Sequence, residues 1–304
     1  MSGEFVHKLI QQHSRQIVSS SPRHILETLL PYLRTAGTYA HHIQGKIAEQ
    51  PAKDLDPENF FATALSDADL SVQTMIEVAL LAHFPATRFF GEEHAQTHNT
   101  KYFRATDLGD SGDYLVTLDP IDGTKFYLDG HNNYQVILTV CDADEFEAVI
   151  AMTPGQNCYY YTLRNQGTYR GQWQDSLNHC QRIYVDTPTP AICVGWSLGH
   201  LVEQIQASYT VYHVKTDYSK EHRIPNFNGL MNGELAGAVM ARGQFIDGAA
   251  LAFMAEEMGH IVTTWEGKAP PPLHASSDMR RPGLVIGANQ QIHQDLLRIV
   301  QTSE

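Results

Sequence analysis

Residues 112–126 read Gly-Asp-Tyr-Leu-Val-Thr-Leu-Asp-Pro-Ile-Asp-Gly-Thr-Lys-Phe. Tyr114 to Leu118 is an apolar run with β-branched and aromatic members, which predicts a buried strand. The strand is expected to end at Asp119, because Pro120 has a fixed φ and no N–H to give to a sheet ladder. Asp122 follows on the far side of that turn. Gly123 permits backbone conformations that other residues avoid, and Thr124 opens a short helix. A rigid turn thus carries two carboxylates at a strand end, with a helix N-terminus directly after it. Carboxylate oxygens suit hard cations such as Mg²⁺, and the exposed N–H groups of a helix start suit phosphate. An Asp-Pro, Asp-Gly turn also ends many strands with no chemistry attached, so the rest of the chain has to decide.

Two further acidic segments do so. Residues 89–93 read Phe-Phe-Gly-Glu-Glu, a strand-like run ending in paired acids, and residues 245–250 read Phe-Ile-Asp-Gly-Ala-Ala, an acid opening a helix-like segment. In that order, Gly-Glu-Glu, Asp-Pro-Ile-Asp-Gly-Thr and Asp-Gly-Ala-Ala resemble the inositol monophosphatase family. This is a Mg²⁺-dependent, lithium-sensitive phosphatase superfamily that also holds bisphosphate nucleotidases and fructose bisphosphatases. The resemblance runs from Lys46 to Gly259, and Asp-Pro-Ile-Asp-Gly-Thr is its most specific part. It implies an α/β fold, α+β in the N-terminal half, built as an αβαβα layered sandwich with the site between two domains.

Composition is that of an ordinary globular protein. The chain has 304 residues, 42% hydrophobic and 18% charged, with a formal net charge of -13. That length supports a substantial core in one large or two modest domains. The negative charge argues against nucleic acid or an anionic membrane as a partner. It also disfavours a bare anionic substrate unless a bound cation reverses the local sign. Cys141, Cys158, Cys180 and Cys193 show no CxxC spacing and are read as reduced thiols of a cytoplasmic protein. No apolar leader or bilayer-spanning stretch is apparent. No HExxH or Cys/His zinc spacing is present among the sixteen histidines.

Along the chain, residues 3–48 read as helices, with Phe5, Val6, Leu9 and Ile10 on one face and Ile25, Leu26, Leu29, Leu30 and Leu33 forming a second stripe. Residues 49–65, with Pro51 and Pro57, read as a loop, where the family has a mobile hairpin near its metals. Ser66-Asp67-Ala68-Asp69 opens a helix carrying Val72, Met75, Ile76, Ala79 and Leu80, with Asp67 as its expected cap. Residues 94–112 read as a surface excursion. Tyr134–Val140, Ala148–Met152, Tyr159–Leu163 and Gly167–Arg170 predict an antiparallel sheet. The polar stretch 175–190, with Pro188 and Pro190, predicts a boundary. It divides the chain into 1–182, with most of the metal ligands, and 183–304, with the last ligand and substrate contacts. Beyond it, Ile192–Gly195, Thr210–Val214 and Leu284–Gly287 read as strands. Leu198–Ala207, Leu230–Met240, Ala249–Met258 and Gln290–Val300 read as helical or helix-containing, an alternation that implies α/β layering.

The resemblance assigns roles residue by residue. Glu92, Asp119, Asp122, Asp247 and the Ile121 carbonyl fall at metal-ligand positions, Glu93 at an outer-shell acid, and Asp69 where an Asp helps orient the attacking water with Thr124. An all-oxygen set suits two or three Mg²⁺ ions, with Mn²⁺ as a substitute, better than zinc. The Gly123 and Thr124 N–H groups could hold phosphate oxygens, while Lys125, Lys220 and Arg223 are candidate substrate contacts. First-turn capping would explain Asp69 equally well, and a solvated loop would explain 217–229.

The implied reaction is Mg²⁺-dependent hydrolysis of a small phosphate monoester, nominally inositol monophosphate. Three departures weaken the inositol assignment: Phe245-Ile246 replace the usual Trp, Met240 stands where inositol-specific members carry Glu, and 217–229 lacks the Gly-Ser step. The alternatives are 3'-phosphoadenosine 5'-phosphate and fructose 1,6-bisphosphate. A partner-binding protein without catalysis is the rival of another class. A homodimer is left open.

Overall fold

The computed structural model describes residues 21–47, 65–93, 114–184 and 188–303. The expected stripe at Phe5–Ile10, nearly all of the loop 49–65 and the excursion 94–112 lie outside these residues. Helix α1 (Pro22–Ile43) starts where the Ser21 hydroxyl accepts the His24 N–H and Pro22 occupies a position that needs no donor. Its stripe Ile25, Leu26, Leu29, Leu30 and Leu33 is buried, as are Val72, Ile76, Ala79 and Leu80 of α2 (Asp67–His83). Ser66, and not Asp67, caps α2. Asp69 accepts the Ser66 N–H in return, completing a capping box.

Seven strands form the first sheet in chain order: β1 (Arg88–Gly91), β2 (Leu115–Asp122), β3 (Gln135–Cys141), β4 (Phe146–Thr153), β5 (Cys158–Leu163), β6 (Gly167–Gln172) and β7 (Gln181–Arg182). β1 runs parallel to β2, and the other pairings are antiparallel. Between β2 and β3 lies the short helix α3 (Thr124–Leu128). The second sheet joins β8 (Ala191–Val194), β9 (Thr210–His213), β10 (Gly237–Met240), β12 (Ile261–Thr264) and β14 (Leu284–Gly287) in the order 12-14-10-8-9, while β11 (Gly243–Gln244) and β13 (Arg280–Arg281) pair separately. Helices α4 (Val202–Gln206), α5 (Gly229–Asn232), α6 (Gly248–Met258) and α7 (Gln290–Thr302) complete the described elements.

Strand alternation decides the layering, because successive side chains leave a sheet on opposite faces. Val116, Leu118, Val136, Leu138 and Ile150 cluster with α1 and α2. Their neighbours Leu115, Ile137, Val149 and Ala151 cluster instead with Ala249, Ala250, Leu251 and Met254 of α6. That same cluster holds Ala238, Met240, Leu284 and Ile286 of the second sheet. On its far face, Val194, Val239 and Val285 pack against Ile205 of α4 and against Leu296 and Val300 of α7. The layers are therefore α, β, α, β, α. The described cysteines are free, and among the described residues no helix is long and apolar enough to cross a membrane.

One local expectation is corrected and another narrowed. β2 does not end at Asp119: it pairs Asp119 with Ile137 and then, after a register shift, Asp122 with Gln135. Three steps on β2 oppose two on β3, so the strand carries a bulge, a place where proline is tolerated and side chains are re-aimed. Leu230–Met240 contains the expected helix only at its start. α5 stops at Gly233, at φ 81, and the buried Gly-Ala-Val-Met that follows is β10. A short apolar run does not by its own pattern distinguish a buried helix from a strand.

The end of α6 yields a prediction about acid stability. The His260 N–H donates to the Ala255 carbonyl at 3.0 Å, and the buried ring leaves Nε2 without a partner. Burial pushes the imidazole down to about 4 from an ordinary 6.5. The unfolded chain therefore binds this proton more readily than the folded one, and protonation favours unfolding. The contribution is complete above pH 6.5 and is lost as the pH falls toward 4. The melting temperature of His260→Gln should fall less steeply than that of the wild type between roughly pH 7 and 4.5. Parallel curves would assign the acid sensitivity to other groups.

Candidate metal and phosphate site

Separate segments bring the acidic side chains together. The Glu92 N–H donates to the Leu118 carbonyl at 3.0 Å, tying the chain just after β1 to β2. Glu93 is buried, and its N–H donates to Gln73 Oε1 at 2.8 Å. Buried Asp119, Ile121 and half-buried Asp122 occupy the bulged end of β2. Asp247 caps α6, accepting the Gly248 N–H and, at 3.1 Å, the Gln244 amide.

Desolvation in this crevice raises Asp247 to about 7, and the charges of Asp122 and Glu92 add to the rise. Asp122 is also raised by desolvation; amide bonds from Gln135 and Asn226 oppose the shift and Glu92 reinforces it. The charge of Glu92, just after β1, thus reaches Asp122 at the end of β2 and Asp247 at the start of α6, and that of Asp122 reaches Asp247. Such a group needs protons or cations to stay together, and its all-oxygen donors suit Mg²⁺ or Mn²⁺. Among the described residues, no group of three or more His, Cys, Asp or Glu side chains is placed so as to hold a metal ion. Asp122 and Asp247 are turned toward protein donors. Asp122 Oδ2 accepts Gln135 Nε2 at 2.7 Å and Asn226 Nδ2 at 2.9 Å, and Asp247 faces Gly248 and Gln244. The chemistry of the set fits a hard cation, and its side chains are not closed around one.

Two residues beyond Asp122, Thr124 is hydrogen-bonded to Asp69. Asp69 is fully buried. Its Oδ2 accepts the Ser66 N–H at 2.8 Å and the Ser66 hydroxyl at 2.6 Å, while Oδ1 accepts the Thr124 hydroxyl at 3.2 Å. Capping and contact with Thr124 were rival explanations of Asp69, yet one carboxylate does both with different oxygens. The Thr124 hydroxyl is also 2.9 Å from the Ile121 carbonyl, so its single proton is shared between the Asp69 carboxylate and that expected metal ligand. Gly123 precedes α3 at φ 85, and no side chain caps that helix.

The model of the inositol monophosphatase family matches residues 34–304. The chain belongs to the inositol monophosphatase family. Its fold is shared by the IMPase of Thermotoga maritima (TM-score 0.66, 18% identity, covering 91% of this chain and 97% of that one). The extragenic suppressor protein SuhB of Bartonella henselae is similar at TM-score 0.66 and 16% identity, over 91% of this chain and 98% of that one. Inositol monophosphatase II of Staphylococcus aureus follows at 0.59 and 16%, over 88% and 91%. At these identities the likeness concerns the fold. No curated protein matches the sequence significantly.

Against that family pattern, the expected cationic contacts are turned elsewhere. Lys125 reaches back to Asp129 Oδ1 at 3.2 Å, Arg223 pairs with Glu234 at 2.7 Å, and Lys220 is exposed. The residue of segment 217–229 that reaches the acids is Asn226. Gln135, Asn226 and Gln244 escaped the sequence reading because amides carry no charge to mark them. The one signal was a glutamine opening the otherwise apolar β3.

Gly123 offers a direct test of the turn in this inositol monophosphatase family member. A Cβ there would lie 2.9 Å from Phe126 Cδ2 and 3.2 Å from Asn226 Nδ2. The left-handed conformation alone costs a non-glycine residue about 1–2 kcal/mol. Gly123→Ala should therefore lose at least about that much stability in urea denaturation. An unchanged midpoint would show that the turn tolerates a side chain.

Proposed function

We propose that this protein hydrolyses a small phosphate monoester at a Mg²⁺-dependent site formed by Glu92, Asp119, Asp122, Asp247 and the Ile121 carbonyl. The observation that carries the reading is the mutual charge of Glu92, Asp122 and Asp247, set beside the Asp69–Thr124 pair. Bound divalent cations would supply charge neutralisation and a more acidic attacking water. The protein's own groups would supply the rest. The Thr124 hydroxyl, backed by Asp69, takes part in moving the proton of the water. The Gly123 and Thr124 N–H groups at the start of α3 hold phosphate oxygens. No side chain need become phosphorylated.

The substrate class we favour is a phosphate monoester of a small polyol, sugar or nucleotide. Inositol monophosphate is the nominal substrate, with 3'-phosphoadenosine 5'-phosphate and fructose 1,6-bisphosphate as alternatives. Staphylococcal IMPase-II structures are described with inositol monophosphate and with 2'AMP, two phosphates of that kind. Met240 and Phe245, both departures from the inositol pattern, are buried. Neither can hold a substrate hydroxyl as a glutamate would, which supports testing the nucleotide and sugar phosphates with equal weight. Free thiols fit a reducing cytoplasm.

Phosphate release from such a panel should require Mg²⁺ or Mn²⁺, stop on chelation, and be abolished in a folded Asp122→Asn protein. Turnover that persists in EDTA would overturn the reading, and no release from any substrate would favour the partner-binding alternative. By the family's habit, lithium is expected to inhibit.

Asp69 can be tested separately. Asp69→Asn keeps an oxygen for Ser66 but removes the charge behind Thr124. The expected loss is roughly 10²–10⁴-fold in kcat, against about 1 kcal/mol of stability from the weakened capping box. A near-normal kcat would assign Asp69 to capping alone.

A further inference from the structure

We infer that Asn226 and Gln135 are positioning residues for Asp122: their two amides hold Oδ2 in place and leave Oδ1 as the oxygen offered to a cation. The inference rests on the reading of Asp122 as a cation ligand. Both amides donate to the same oxygen, at 2.7 Å from Gln135 and 2.9 Å from Asn226. Two N–H donors fill the ordinary accepting capacity of one carboxylate oxygen.

Each amide is itself constrained, Asn226 through both ends of its amide and Gln135 through burial alone, its Oε1 having no hydrogen-bond partner. Gln135 is fully buried and lies opposite Asp122 in the β2–β3 ladder, so it approaches from the neighbouring strand. Asn226 comes from the 217–229 segment. Its Oδ1 accepts the Phe227 N–H at 2.7 Å, which leaves Nδ2 as the end facing Asp122. The same Nδ2 lies 3.3 Å from the Asn133 carbonyl, and the Asn133 amide returns a bond to the Ile224 carbonyl at 2.8 Å. The segment is thereby bracketed onto the chain just before β3, with Asn226 at its inner end.

The physical need for such a clamp is the crowding of charge. A carboxylate with like-charged neighbours and one free torsion turns away from them, and orienting it then costs binding energy. Anchoring one oxygen removes that freedom in advance. Hydrogen-bond partners of metal-ligating groups typically change affinity 10–100-fold when removed. The clamp also spans the two halves of the chain, so the position of 217–229 bears on a ligand carried by β2.

Mn²⁺ binding, measured without substrate by electron paramagnetic resonance titration, tests this apart from catalysis. Asn226→Ala and Gln135→Leu should each raise the Mn²⁺ Kd by about tenfold or more. Asn133→Ala breaks the bond to Ile224 and loosens the segment but leaves both amides able to reach Asp122, so it should raise the Kd clearly less than either clamp variant. Melting temperatures in EDTA identify the variants that fold, and if Asn226→Ala does not, Gln135→Leu decides. Unchanged or tighter Mn²⁺ binding in a folded clamp variant overturns the inference. An equal loss in Asn133→Ala also overturns it, by assigning the effect to displacement of the segment. Wild-type protein that binds no Mn²⁺ would overturn the ligand reading itself, a result distinguishable from failure of the clamp alone.

Discussion

Like charges held in a crevice between apolar layers set the terms for the rest of this structure. Asp122 and Asp247 are both raised by desolvation, and each lies within the field of Glu92. An isolated buried carboxylate would take a proton or move to water. These are held by hydrogen bonds from the Gln135, Asn226 and Gln244 amides and the Gly248 N–H. The site is a balance between repulsion, which only a cation or proton relieves fully, and a ring of neutral donors that keeps the acids oriented meanwhile.

The layers make that balance possible. α6 is buried along nearly its whole length, between the inner faces of the two sheets. Its first turn ends in the crevice, so packing that stabilises the core also fixes Asp247. β2 is similarly double in purpose. Its apolar residues alternate between two cores, and the bulge at its end turns the Asp119–Asp122 stretch out of the regular ladder. Asp69 repeats the pattern at the start of α2, where one oxygen serves the helix and the other faces Thr124. Structural and chemical roles are shared by the same side chains, which is why capping and catalysis were rival readings of Asp69.

Charged and turn-forming residues were legible in the sequence because their chemistry is local. Pro120 and Gly123 mark a turn whatever surrounds them, and Ile25 to Leu33 declare a helix face by spacing alone. The short element at 230–240 was not legible. Gly-Ala-Val-Met satisfies a buried helix and a buried strand equally, and only pairing with β8 and β14 settles it. The cationic residues Lys125 and Arg223 drew attention as substrate contacts by their charge. Lys125 pairs with nearly buried Asp129 one helical turn on, and Arg223 with Glu234 just after α5, so each cation has a protein partner that its charge alone did not announce.

The sequence by itself determined the acids, Pro120, Gly123 and the order in which they occur, and so the family, while the pairing of β2 with β3 made the proline part of a bulge and not a strand end. The sequence did so because a motif is a statement about neighbours along the chain. Tertiary structure alone decided that Asn226 and Gln135 meet on one oxygen of Asp122, that Glu92 and Asp247 share its field, and that Thr124 comes within reach of Asp69. Those contacts join residues up to 155 positions apart, between Glu92 and Asp247. No local propensity encodes such a distance; it is set by which faces of two sheets and one buried helix exclude water together.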